Sequence, residues 1–158
     1  MKPITTLALA LCAAGLAFVP ALAADEPRSK ISGEPAGLLG RYTIIAGEKF
    51  GEKEPAERIE GTTVRIADDA IVVLDKEKKE VYAQTYKIDT TSKPWKITLK
   101  SKITPRNQSA EEVEAKGLIK QEGDLVTIIY ALPGGETPTR FKTGEKQLMF
   151  VLKNDHKK

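Results

Sequence analysis

From residue 38 to residue 153, short runs rich in Val, Ile, Thr, Tyr and Trp alternate with clusters of Gly, Pro, Asp and charge. The spacing of roughly ten residues is that of an antiparallel all-β domain. Eight runs stand out, at 39–46, 62–67, 70–75, 80–89, 95–101, 115–121, 125–132 and 146–153. The fifth alternates most cleanly: Trp95, Ile97 and Leu99 fall on one face and Lys96, Thr98 and Lys100 on the other, as a half-buried strand requires. The seventh is apolar at nearly every position, and the last carries Leu148-Met149-Phe150-Val151-Leu152. Such strands need cover on both faces, or else their paired outer faces form an exposed apolar stripe.

The connections favour hairpins. Asp68-Asp69, the charged stretch 76–79 and Gly123-Asp124 each supply tight-turn chemistry. Two longer connections predict short helical turns: one opened by Pro55 and ended by Gly61, the other started by Ser109 with Glu112 as a capping box. Hairpin-linked strands dispose of their edges most simply by closing, so the expected fold is all-β, an eight-stranded antiparallel up-and-down barrel with one or two short helical turns. A two-sheet sandwich of the same strands is the alternative.

Ahead of this domain, Lys2, an apolar run over 7–19 and the small-residue pattern Ala21-Leu22-Ala23 have the three parts of a secretory signal peptide, 1–23, with cleavage after Ala23. The run is shorter than the roughly 20 residues that span a bilayer, so no membrane span is expected in the mature chain. Residues 24–37, with Pro27, Ser29, Gly33 and Pro35 among charges, read as a flexible leader, the domain as 38–153, and 154–158 as a polar tail. The expected location is secreted or periplasmic.

Composition removes most side-chain chemistry. In 158 residues there is one cysteine and one histidine, Cys12 and His156, so nucleophile–histidine pairs, zinc clusters and disulfide frameworks lack their material. Cys12 departs with the signal, and His156 sits in the tail. Carboxylates could pair for acid–base work, but Glu111-Glu112-Glu114, Glu77 and Glu80 lie in charged runs that read as solvated surface. Asp68-Asp69 lacks the spaced oxygen ligands of a calcium loop, and Pro133-Gly134-Gly135-Glu136 lacks the Lys-Ser or Lys-Thr of a phosphate cradle. Asn107-Gln108-Ser109 matches a glycosylation acceptor only formally. A net charge of +3 with Lys and Arg interleaved among Glu and Asp gives no single-signed face for nucleic acid. The expectation is a non-enzyme with no catalytic residue, no metal and no cofactor.

The first strand with Leu39-Gly40-Arg41-Tyr42, the pair Tyr86-Lys87-Ile88-Asp89 and Lys93-Pro94-Trp95-Lys96-Ile97, and Thr137-Pro138-Thr139-Arg140-Phe141 before the last strand follow one another in an order and spacing that carry a likeness. Over about 38–153 the chain resembles a lipocalin-like domain family abundant in planctomycete bacteria, with Tyr42 where that family usually has tryptophan. The resemblance implies a secreted or periplasmic eight-stranded barrel and brings no settled activity with it.

Aromatic residues are the remaining functional candidates. Tyr42, Tyr86, Trp95, Tyr130 and Phe150 fall on different strands, and strand parity aims several of them inward. Inward aromatics either fill the interior as plain core or, with phenolic hydroxyls among apolar walls, line a cavity for a small hydrophobic ligand. The candidate ligand site is Tyr42, Tyr86, Trp95 and Tyr130. The competing function is an envelope structural or protein-interaction domain, with an envelope protein as partner, acting through the apolar stripe of 125–132 and 148–152.

Overall fold

β-Branched and aromatic side chains set in alternation at 2-residue intervals commit most of this chain to strands, and the way their edges are satisfied decides the architecture. The computed structural model describes residues 37–103 and 111–156. The expected signal peptide, nearly all of the leader, Asn107 and Ser109 lie outside the described residues. Nine strands and one helical turn are present: β1 (Gly40–Lys49), β2 (Glu52–Lys53), α1 (Ala56–Ile59), β3 (Thr63–Ile66), β4 (Ala70–Leu74), β5 (Glu80–Asp89), β6 (Trp95–Ile103), β7 (Glu111–Glu122), β8 (Leu125–Ala131) and β9 (Gln147–Asn154). Leaving aside the two-residue β2, which folds back on the end of β1, the eight long strands run antiparallel in sequence order, and β1 pairs with β9 to close the barrel. Closure gives every long strand two neighbours and removes the sandwich alternative.

Inward-facing residues fill one half of the barrel. Tyr42, Ile66, Tyr86, Ile88, Ile97, Leu99, Ile119 and Val126 are all buried, and Leu38 enters beneath Tyr42 as a plug. We call this end, where β1 begins and β9 ends, the lower end. Gln121 reaches from β7 to donate to the Gly37 carbonyl at 3.2 Å, tying the chain entry to the barrel floor.

Two bulges correct the strand parity. Ile45 is an extra residue in β1 against β9, because Ile44 pairs with Leu152 and Ala46 with Val151. Simple alternation aims Ala46 and Glu48 inward; the bulge instead turns Gly47 in and leaves Ile45 exposed. Val81 plays the same part in β5, where Val73 pairs with Tyr82 and Leu74 with Glu80. β5 also changes partner along its length, lying on β4 through Thr85 and on β6 only from Thr85 onward. Among the described residues its first half therefore has no β6 partner.

The expected helical turn at Pro55 forms as α1, with Gly61 in the left-handed region at φ +75° just after it. Ile59 on this turn packs against the core from above. The second expected helix is corrected: Glu111 to Glu114 begin β7, paired with Lys100 to Ile103 of β6. Glu112, read from sequence as a cap, accepts a hydrogen bond from Lys100 Nζ across the strands at 3.0 Å. A cross-strand charge pair satisfies it as well as a helix N-terminus would.

The apolar stripe expected on the outside of β8 and β9 is covered by the chain itself. Ile129 and Thr127 face outward yet are buried, as is Leu118 beside them on β7. The loop over 132–146 folds back across this face. Its Pro138 is buried, Thr137 to Thr139 border a groove shared with Lys96, Lys116 and Leu118, and the Phe141 ring lies 5.1 Å from Lys120 Nζ. Thr143 pins the loop to the end of β1, its Oγ1 donating to Glu48 Oε2 at 3.0 Å and accepting from the Gly51 amide at 3.1 Å. β9 continues to Asn154, whose amide donates to Asp124, and Asp155 accepts from Thr43 Oγ1 at 2.7 Å. The barrel thus extends into the expected tail, and His156 follows it as an exposed residue.

Candidate functional site

The upper half of the barrel is not filled. A cavity of about 260 Å³ lies under α1, with Ile44, Val64, Ile71, Ile128 and Leu152 as its apolar walls. At ~30 Å³ per molecule of liquid water this is room for about nine waters or a ligand of roughly nine heavy atoms. The polar part of the lining is Arg58 and Thr62 at and beside α1, Tyr82 and Gln84 on β5, and Tyr130 on β8. Tyr82 faces inward yet is 42% exposed, because the neighbouring stretch of β5 has no β6 strand beside it.

The four aromatic residues singled out from sequence separate into two groups. Tyr130 lines the cavity, and Tyr42, Tyr86 and Trp95 do not. Tyr42 is fully buried at the lower end, where its hydroxyl donates to the Leu38 carbonyl at 2.6 Å. The Tyr86 hydroxyl donates to the Ala67 carbonyl at 2.7 Å, and Trp95 packs against the lower core. These hydroxyls satisfy backbone carbonyls and so serve the fold. Tyr130 differs: the residue is partly buried and its hydroxyl has no hydrogen-bond partner among the described residues; desolvation pushes the phenol well above the ordinary tyrosine range, with the nearby Tyr82 phenol adding to the shift.

Sequence reading missed Tyr82, Gln84 and the α1 residues Arg58 and Ile59. Tyr82 and Gln84 share the inward parity of Tyr86, so alternation along β5 could have found them. The position of α1 over the barrel has no such local signal. Arg58 is the charged residue of the lining; its side chain is 71% exposed and stands 3.6 Å from Glu54.

The acidic runs behave as surface. Lys100 holds the Glu112 carboxyl below the usual carboxylate range through a direct hydrogen bond, and the Thr91 hydroxyl and amide do the same for Asp89 in the β5–β6 turn. Among the described residues no group of three or more His, Cys, Asp or Glu could hold a metal ion, and no helix is long and apolar enough to cross a membrane.

The phenols of Tyr42 and Tyr130 make the fold sensitive to alkaline pH. Desolvation raises both Tyr42 and Tyr130 above the ordinary value of 10.0, so the fold keeps protons that the unfolded chain releases. Below about pH 10 both states are protonated and the two groups give no pH dependence; above it the unfolded chain binds fewer protons and stability falls as pH rises. In an alkaline titration, part of the phenolate absorbance near 295 nm should appear only together with loss of the near-ultraviolet circular dichroism. Complete ionisation of all tyrosines in a chain that keeps its near-ultraviolet signal would refute it.

No protein-family model matches this chain, and no curated protein or solved structure matches it significantly.

Proposed function

We propose that this chain is an exported, non-enzymatic binding module, in keeping with its lipocalin-like resemblance, whose barrel takes up a small apolar molecule in its upper half. The observation that carries the reading is the largely apolar cavity of about 260 Å³ under α1. A space of this size with a few convergent polar groups has the character of a ligand pocket, at the small end of the usual range. Affinity would come from apolar burial. For a probe of about nine heavy atoms, ordinary ligand efficiencies give a Kd on the order of 0.1–1 mM. The competing surface reading, in which an outer stripe recruits an envelope protein, loses its main support because the 132–146 loop already covers that stripe.

The test is a titration of the protein with isopropylbenzene, followed by methyl nuclear magnetic resonance. Saturable shifts are expected at Ile44, Val64 and Ile128, and none at Ile97 or Leu99 in the packed lower half. Val73→Phe, which puts a ring into the cavity, should weaken binding at least tenfold. Absence of any saturable shift at the cavity methyls would overturn the reading.

A further inference from the structure

Resting on that reading, we infer that the molecule taken up is neutral and presents one hydrogen-bond acceptor, such as a carbonyl or ether oxygen, to the Tyr130 hydroxyl while its apolar body fills the cavity below. Tyr130 lines the cavity with its ring partly buried, and its hydroxyl has no hydrogen-bond partner among the described residues, so it is free to donate to a guest. A phenylalanine would offer the same ring surface without that donor. Tyr130 is well placed to hold one orientation: it stands opposite Gly117 across the β7–β8 ladder, and Ile129 next to it is locked into the covered outer face. The lining combines the Tyr130 and Tyr82 phenols and the Gln84 amide with the apolar Ile44, Val64, Ile71, Ile128 and Leu152, so a bound molecule meets few polar groups among apolar walls.

The charge of the ligand follows from the same surroundings. Burial holds the Tyr130 phenol in its neutral form far above the ordinary range, as expected where negative charge is poorly solvated. Arg58, the cation of the lining, is largely in water and faces Glu54, so it does not neutralise the interior. An anionic head buried here would lose its hydration without gaining a partner.

Three probes of one size separate the possibilities: acetophenone with a neutral acceptor, isopropylbenzene with none, and benzoate with a negative charge. Tyr130→Phe should weaken acetophenone about fivefold, the value of one hydrogen bond, and leave isopropylbenzene within twofold. Benzoate should bind at least tenfold more weakly than acetophenone. In the wild-type protein the carbonyl stretch of bound acetophenone should fall below its frequency in hydrocarbon solvent, a readout independent of any variant. If isopropylbenzene binds but acetophenone is indifferent to Tyr130→Phe and its carbonyl stretch is unshifted, this inference fails and the cavity reading stands. If benzoate binds best and loses affinity in Arg58→Gln, the ligand is an anion and the inference is wrong. If none of the three binds, both fall together.

Discussion

Replacing Gly117 with alanine is expected to lower the stability of the barrel by about 3 kcal/mol, at the upper limit of overpacking. Gly117 faces inward on β7, paired with Tyr130 on β8. A Cβ built there runs into the Ile129 carbonyl oxygen and comes within 2.8 Å of both Tyr130 Cα and Cβ. Two of these three obstacles are backbone, so no rotamer change can relieve the overlap. The strands must part, and the pairing from Gly117 to Glu122 is strained at its end. Gly123→Ala is the natural control. Its Cβ meets nothing within 4 Å, but φ is +66°, so the cost is the roughly 1–2 kcal/mol of a left-handed alanine. Denaturant unfolding followed by the fluorescence of Trp95 measures both. A Gly117→Ala protein within 1 kcal/mol of wild type would show that β7 and β8 do not approach as described. Because Tyr130 lies directly across the ladder, the same substitution should also weaken ligand uptake in whatever fraction remains folded.

Gly117 also shows what sequence could and could not reveal. Alternation placed Ile97 and Leu99 inside and Lys96 and Thr98 outside, because a strand with one wet face must repeat every two residues. The turns at Asp68-Asp69 and Gly123-Asp124 were legible for a similar local reason. A bulge has no comparable signature. Ile45 and Val81 look like ordinary strand residues, and only the partner strand decides that they are extra. The capping box at Glu112 failed because a carboxylate suits a helix N-terminus and a cross-strand lysine equally well. Strand 125–132 correctly asked for cover on both faces, but that the cover would be the following loop depends on where Pro138 and Phe141 land, a long-range matter. The site was half legible on the same principle. Tyr42, Tyr86 and Tyr130 all turn inward in the barrel, and what separates them is whether a backbone carbonyl accepts from the hydroxyl.

That difference makes the second large prediction. Tyr42→Ala should cost about 4 kcal/mol, since the ring is fully buried at the lower end and its loss leaves a hole that Leu38, Ile66 and Val126 cannot close. Tyr42→Phe isolates the hydroxyl and should cost about 1–3 kcal/mol, because the Leu38 carbonyl that accepts its bond at 2.6 Å is left buried without a donor. Tyr130→Phe, the same chemical change on a ring that also faces inward, should cost close to nothing, since no protein group among the described residues loses a bond. Denaturant midpoints of the three variants decide the matter. If Tyr42→Phe and Tyr130→Phe were equally destabilised, Tyr130 would be a structural tyrosine like Tyr42, and the division of this barrel into a sealed lower half and a receptive upper half would be wrong. If they separate as expected, the Tyr130 hydroxyl does nothing for the fold, and a donor that lines a cavity without a protein partner is accounted for by what enters it.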